Sequence, residues 1–205
     1  MPDEIGFLVD SASCSGCKAC QAACKDKHDL GDGVLWRRVY EISGGSWRRE
    51  GEAWVPDVVA YYLSLACNHC EEPLCREACP SGAISKREDG LVLIDKDKCL
   101  GCRYCEWACP YGAPQFDPAA RVMTKCDFCA DELEQGLAPV CVRACPMRAL
   151  DFGPIETLRR TPGVTADVPP LPSSSVTRPA VVIKPHRDAG RATGPASVVA
   201  NREEV

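Results

Sequence analysis

The apolar positions of this chain come in short runs rather than in long helical stripes. Ile5–Val9 is a five-residue apolar run and predicts a strand leading into the loop at Ser11–Ser13. Ile84–Lys86 and Leu91–Ile94 flank Glu88, Asp89 and Gly90, a hairpin signal. Phe116 and Val122–Thr124, on either side of Asp117–Arg121, predict a second hairpin of the same kind. Val34–Ile42 and Val55–Leu65 are rich in β-branched and aromatic residues and predict two longer strands, with Gly44-Gly45 as the turn between them. Single helical turns are expected at Cys75–Cys79 and Cys141–Cys145. From Thr157 onward Pro162, Pro169, Pro170, Pro172, Pro179, Pro185 and Pro195, with Ser173–Ser175, argue against a regular core. Val181–Ile183 is the one apolar run there that can anchor an otherwise extended tail, by adding a short strand. No run approaches the roughly 18 apolar residues of a membrane-crossing helix.

Cysteine changes this picture most. The chain holds 16 cysteines, in four groups of four with none left over. Cys14, Cys17, Cys20 and Cys24 read C-x2-C-x2-C-x3-C, and Cys99, Cys102, Cys105 and Cys109 repeat that spacing. Cys67, Cys70, Cys75 and Cys79 widen the middle gap, and Cys126, Cys129, Cys141 and Cys145 widen it further. Pro80, Pro110 and Pro146 directly follow the last cysteine of three groups. This is the ligand run of bacterial ferredoxins, whose fourth cysteine serves the other cluster of a pair. Closely spaced cysteines let a coiled loop aim three thiolates at one cube, while the fourth, about a helical turn on, faces a neighbour. Four runs imply four [4Fe–4S] clusters and a chain that moves electrons. A disulfide scaffold suits small secreted domains, whereas no signal peptide is expected from this sequence. Structural zinc would fit the fourth group taken alone. Neither explains the repeated spacing with its trailing proline.

Composition agrees. Only 6% of the 205 residues are aromatic, so four inorganic cubes would take the place of much of a conventional core, with folding and metal loading coupled. A net charge of −5 with interspersed signs gives no case for nucleic-acid binding. Trp36, Tyr40, Trp47, Trp54, Tyr61 and Tyr62 concentrate in the insert between the first two groups. They either pack that insert's own small core, the favoured reading, or face a partner.

The quartets and the words around them resemble the four-cluster iron–sulfur subunits of membrane molybdoenzymes, and within these the iron–sulfur subunit of dimethyl sulfoxide reductase. The resemblance is carried by Phe7–Asp10, Ala60–Ser64, Lys86–Gly90, Cys109–Gln115 and Ala149–Pro154, and in the tail by Val182–Pro185. It implies an α+β chain of two bacterial-ferredoxin-like double-cluster modules: residues 1–24 with 120–156 as the outer module and 67–119 as the inner one. A small inserted β-sheet (25–66) and an extended Pro-rich tail (157–205) complete it.

What the resemblance implies for ligation is crossed. One cluster goes to Cys14, Cys17, Cys20 and Cys145, and its pair partner to Cys24, Cys126, Cys129 and Cys141. The inner pair takes Cys67, Cys70, Cys75 and Cys109, then Cys79, Cys99, Cys102 and Cys105. In similar nitrate reductases a tryptophan at the position of Cys102 gives a [3Fe–4S] centre; here all four clusters are expected to be cubane. The implied partners are a catalytic molybdopterin subunit at the outer pair and a quinol-oxidising integral membrane subunit at the inner pair. This chain itself has no catalytic residue and no membrane insertion. The expected location is the periplasmic face of the inner membrane, with the cytoplasmic face as alternative. The same wire could serve a formate or polysulfide oxidoreductase, or a free polyferredoxin.

Lys25 departs from the motif where the other quartets have proline, which touches the exit geometry of that loop. His69 between Cys67 and Cys70 is expected as a solvated or cluster-adjacent residue rather than a ligand, and His28 and His186 have less claim still. Lys86, Arg87, Arg103 and Lys125 lie close in sequence to ligand cysteines, and a cation there would raise a cluster's potential.

Overall fold

A computed structural model describes residues 3–191 and 198–205. Residues 192–197 of the expected tail, Pro195 among them, and Met1-Pro2 lie outside the described residues.

Three strands build the first sheet, in the order β8-β1-β9. Strand β1 (Ile5–Asp10) pairs antiparallel with β8 (Leu150–Pro154) and parallel with β9 (Val181–Lys184). Its two faces follow the period of two that a strand imposes. Phe7, Val9, Leu150, Val181 and Ile183 pack into the main core, beside buried cysteines. Leu8 and Val182 face the other way, onto Ile155 and Leu158 of helix α6 (Ile155–Arg159). Gly6 is required by the close approach of the tail: a Cβ there would overlap the Ala180 carbonyl and the Ile155 side chain.

The tail is thus a strap rather than a loose end. The Asn68 carbonyl accepts from the Ala180 N–H (2.9 Å), and the N–H groups of Glu71 and Glu72 donate to Arg178 and Thr177. Val181–Ile183, singled out from sequence as an anchor, lies within β9 and is fully buried. A second contact comes from β10 (Val198–Val199), which pairs with β2 (Arg38–Glu50).

The insert between the first two quartets forms a hairpin of β2 (Arg38–Glu50) and β3 (Ala53–Leu65), but its turn is not at Gly44-Gly45. Strand β2 runs through both glycines, pairing them with Val59 and Val58, and the chain reverses at Gly51-Glu52. Gly45 has φ +87° and sits where a Cβ would overlap the Asp57 carbonyl, so glycine serves a close strand approach rather than a turn. Trp36 and Tyr61 are buried and Tyr40 and Tyr62 pack against the core, while Trp47 (59% exposed) and Trp54 (64%) stand near the hairpin tip. The insert's aromatics therefore divide between its core and its surface.

Two small hairpins lie where the apolar runs predict them. They are β4 (Ile84–Lys86) with β5 (Val92–Ile94), and β6 (Gln115–Asp117) with β7 (Val122–Thr124). Short helices follow the cysteine loops: α2 (Leu74–Glu77), α3 (Tyr104–Ala108), α4 (Ala130–Leu133) and α5 (Val140–Arg143). The exception is α1 (Ala19–Lys27), which is longer, and Lys25 explains it. After the other fourth cysteines proline starts a reversal whose third residue is left-handed: Gly82 (φ +62°), Gly112 (+58°) and Arg148 (+52°). Lys25 has an N–H to give, so α1 continues past Cys24 through Lys27. No helix among the described residues is long and apolar enough to cross a membrane.

Candidate metal centres

Each cysteine loop shares one backbone device. The residue just before the second cysteine is left-handed in all four quartets: Gly16 (φ +71°), His69 (+42°), Gly101 (+64°) and Phe128 (+65°). Lys18 (+60°) and Arg103 (+66°), just after the second cysteine, repeat it in the two most regular loops. Alternating right- and left-handed residues turn successive N–H groups to one side, the anion-cradling nest found at many iron–sulfur sites. For His69 and Phe128, which carry side chains, this conformation costs about 1–2 kcal/mol each. Packing holds them: Phe128 is 1% exposed, stacked on Phe7 (4.0 Å between centroids) and edge-on to His69 (5.3 Å).

The loops gather the cysteines into four sets. Cys14, Cys17, Cys20 and Cys145 converge on one cleft, floored by Val39, Leu150 and Ser64. Cys67, Cys70, Cys75 and Cys109, the third set in series order, converge on another cleft, closed by Val92 and Tyr111. Cys24, Cys126, Cys129 and Cys141 form the second set in series order, in which burial and then mutual repulsion push the Cys24 and Cys129 thiols up to about 12. In the fourth, burial lifts Cys105 to about 11, with Cys99, Cys102 and Cys79 adding repulsion. Cys79 goes the other way. Burial would raise it, but hydrogen bonds from the Ser81 hydroxyl and the Ala83, Ser81 and Ile84 N–H groups outweigh burial and lower it.

The sets lie in series. Cys20 of the first feels Cys141 of the second. Cys126 of the second, raised by burial above all, also feels Cys67 of the third. Cys75 of the third shares one apolar cluster with Cys105 of the fourth. Only two cysteines are exposed, Cys17 in the first set and Cys102 in the fourth.

The donor chemistry fits a sulfur-rich, negatively charged group. Crowded buried thiols are unfavourable as bare thiolates, and bound iron removes that cost. Several orphaned polar atoms beside these cysteines are donors: Arg37 Nε and Nη2, Asn68 Nδ2 and His69 Nε2 have no protein partner among the described residues. His69 Nδ1 accepts from the Val92 N–H (3.0 Å), which leaves the ring proton on Nε2. Burial, and then Lys125, hold this imidazole neutral, its pKa well below the usual value. His69 is therefore fully buried, not solvated. Further donors already reach sulfur, from Met123 N–H to Cys99 (3.3 Å), Phe128 N–H to Cys126 (3.4 Å) and Ala149 N–H to Cys145 (3.3 Å). Such bonds tune cluster potentials. His28 Nε2 lies 3.5 Å from Cys129 Sγ, whereas His186 stacks on Tyr61 away from the sets.

The four cations near the quartets separate sharply. Lys86 pairs with Glu4 (2.7 Å), Arg87 with Asp89 (2.9 Å) and Arg103 with Glu106 (2.7 Å), so carboxylates already neutralise them. Lys125 is buried, donates to the carbonyls of Val92 and Cys126, and has no carboxylate partner among the described residues. Two residues that sequence reasoning missed are Arg37 and Thr177. Arg37 is 1% exposed and feels Cys141, Cys20, Cys126 and Cys24, though it lies in no quartet. Thr177, buried in the tail strap, donates its hydroxyl to the Tyr111 hydroxyl (3.5 Å) and stands beside Cys70, whose thiol burial pushes up to about 12. Neither has a local signal; a long-range contact makes each.

Comparison with known proteins adds to this. A family model described as a 4Fe-4S dicluster domain matches residues 58–155. Over the whole of both chains, the protein is 52% identical to YnfG of Escherichia coli K12, a probable anaerobic dimethyl sulfoxide reductase chain. It is also 52% identical, again over both full lengths, to the B chain of anaerobic dimethyl sulfoxide reductase from that organism. To the corresponding B chain of Haemophilus influenzae it is 46% identical, across 99% of this chain and 100% of the relative. With these cysteines and this α+β architecture, the fold is ferredoxin-like and the cofactors are [4Fe–4S] clusters.

Proposed function

Since the chain belongs to the family of anaerobic dimethyl sulfoxide reductase B chains, we propose that it passes single electrons from a quinol-oxidising membrane subunit to a catalytic molybdopterin subunit that reduces dimethyl sulfoxide or related oxides. A bound [4Fe–4S] cluster supplies reversible one-electron chemistry; the chain's own residues hold it, shield it and set its potential. Cys14, Cys17, Cys20 and Cys145 would hold the cluster at the delivering end, and Cys79, Cys99, Cys102 and Cys105 the one at the receiving end. Cys24, Cys126, Cys129 and Cys141, then Cys67, Cys70, Cys75 and Cys109, would hold the two between. The first two sets form an outer module (1–24 and 120–156) and the last two an inner one (67–119), with the insert at 25–66 and the strap from 157 binding them together. Residence is at the periplasmic face of the inner membrane, through the membrane subunit.

The observation that carries this reading is the serial order of the four sets, with exposed thiols only at its two ends, Cys17 and Cys102. A wire needs a protected interior and two accessible termini. Exposed Leu100, Tyr104 and Trp107 beside Cys102, and Met147 beside the first set, give each terminus an apolar margin for a fixed partner. The test is anaerobic isolation from membranes, followed by reduction with a menaquinol analogue and addition of dimethyl sulfoxide. The chain should copurify with a molybdenum-containing partner and a membrane partner, and the oxide should bleach its reduced-cluster signals. Recovery as a free monomer that donates to many acceptors, or signals indifferent to the oxide, would refute the proposal.

A further inference from the structure

Arg37 is a fully buried cation with unpartnered donors. A guanidinium cannot shed its proton, and this one is 1% exposed with no carboxylate in salt-bridge reach among the described residues. Its Nη1 donates to the Ser64 carbonyl (3.4 Å) and hydroxyl (3.2 Å), and its Cζ lies 4.6 Å from the centre of the Phe7 ring. These neutral contacts fix its position without cancelling its charge. Nε and Nη2 have no protein acceptor. Leaving a buried charge uncompensated is strongly destabilising, so something must compensate it. The groups that raise its pKa against burial are all cysteines: Cys141, Cys20, Cys126 and Cys24. Cys20 belongs to the first set and the other three to the second. Ser64 Oγ, which accepts from Arg37, itself lies 3.3 Å from Cys20 Sγ, so the cation stands beside the first set, with Cys24, Cys126 and Cys141 of the second as its other charged neighbours.

We propose that Arg37 is the shared counter-charge of the two outer clusters, holding both reduction potentials up and giving its free Nε and Nη2 protons to their sulfurs. The inference rests on the cluster assignment above and names how the outer end of the wire is tuned. Each reduction there adds one electron from the inner side and moves no atom or proton, so the added negative charge is met by a fixed positive one. In a dry site such a charge acts far more strongly than in water. Lys125, bound to two carbonyls one residue from Cys126, occupies the corresponding place toward the inner side. Lys86, Arg87 and Arg103, each with its own carboxylate, do not share this role.

The test compares Arg37→Met, which removes the charge at similar volume, with Arg37→Lys, which keeps it, in the whole membrane complex. Redox titration followed by EPR reads each cluster separately. In Arg37→Met the reduction equilibrium constants of both outer clusters should fall at least tenfold, equivalent to 59 mV for one electron, with the inner pair unmoved. Arg37→Lys should retain most of the wild-type value. Unchanged outer potentials in Arg37→Met, an equal shift of all four clusters, or equal effects of Met and Lys would overturn the proposal. If Arg37→Met does not load its outer clusters, Arg37→Lys decides: near-wild-type outer potentials uphold the proposal and a tenfold fall overturns it. Four cluster signals in the unsubstituted complex stand or fall independently of Arg37, so failure here is distinct from failure of the assignment.

Discussion

Replacing Cys102 by serine should cut quinol-driven turnover of the complex by about 100-fold, while turnover driven by a small reductant acting directly at the catalytic subunit stays close to wild type. Cys102 is one of only two exposed cysteines, and it lies in the set farthest along the series from Cys17. Because it is exposed, its replacement removes little buried surface and leaves folding largely intact. The loss is one soft thiolate in exchange for a harder hydroxyl, which iron in a sulfur-rich cube holds poorly. Redox-titrated EPR should show one altered cluster and three unaltered ones. Four unchanged signals with normal quinol turnover would place the entry elsewhere.

The second large effect belongs to the tail. Ending the chain at Thr161 removes β9, whose Val181, Val182 and Ile183 are all buried, and Thr177, which stands beside Cys70. Burial of each of those three side chains is worth about 1.5–3 kcal/mol, against total stabilities of about 5–15 kcal/mol for ordinary domains. The truncated chain should therefore lose iron, earliest from the Cys67, Cys70, Cys75 and Cys109 set, and unfold at a much lower temperature. The milder Ile183→Ala should cost about 2–5 kcal/mol while keeping the strap. Iron content and thermal midpoint measured together check both. A truncated chain with full iron and an unchanged midpoint would make the tail a mere linker.

Why some of this was legible in the sequence and some was not follows from the range of each interaction. The cysteine quartets and the hairpins β4-β5 and β6-β7 are local: ligand spacing, apolar runs and turn residues lie close together in sequence, the widest quartet running from Cys126 to Cys145. The exit of the first quartet was legible only as a departure, because Lys25 signals the absence of proline without saying that α1 continues. Gly44-Gly45 misled because a glycine pair marks a turn in isolation, whereas here the need is for β2 to lie close to the Asp57 carbonyl. The proline-rich tail hid its order for a similar reason. Its strand completes a sheet whose other members lie far away in sequence, so only Val181–Ile183 betrayed it. Charge near cysteine proved a poor guide to tuning: three of the four sequence-adjacent cations have carboxylate partners, and the buried one with the widest reach, Arg37, lies outside every quartet. The left-handed residue before each second cysteine shows as glycine at Gly16 and Gly101, but His69 and Phe128 hide it because packing rather than glycine holds the conformation.

The central claim is that four cubane clusters lie in series through one chain. An anaerobic redox titration of the isolated complex, followed by EPR with iron and sulfide counted on the same sample, tests it most directly. The account predicts four one-electron [4Fe–4S] signals, with spin coupling within pairs and no [3Fe–4S] signal in the oxidised protein. Fewer than four reducible clusters, a [3Fe–4S] centre, or zinc in place of iron at any quartet would contradict it.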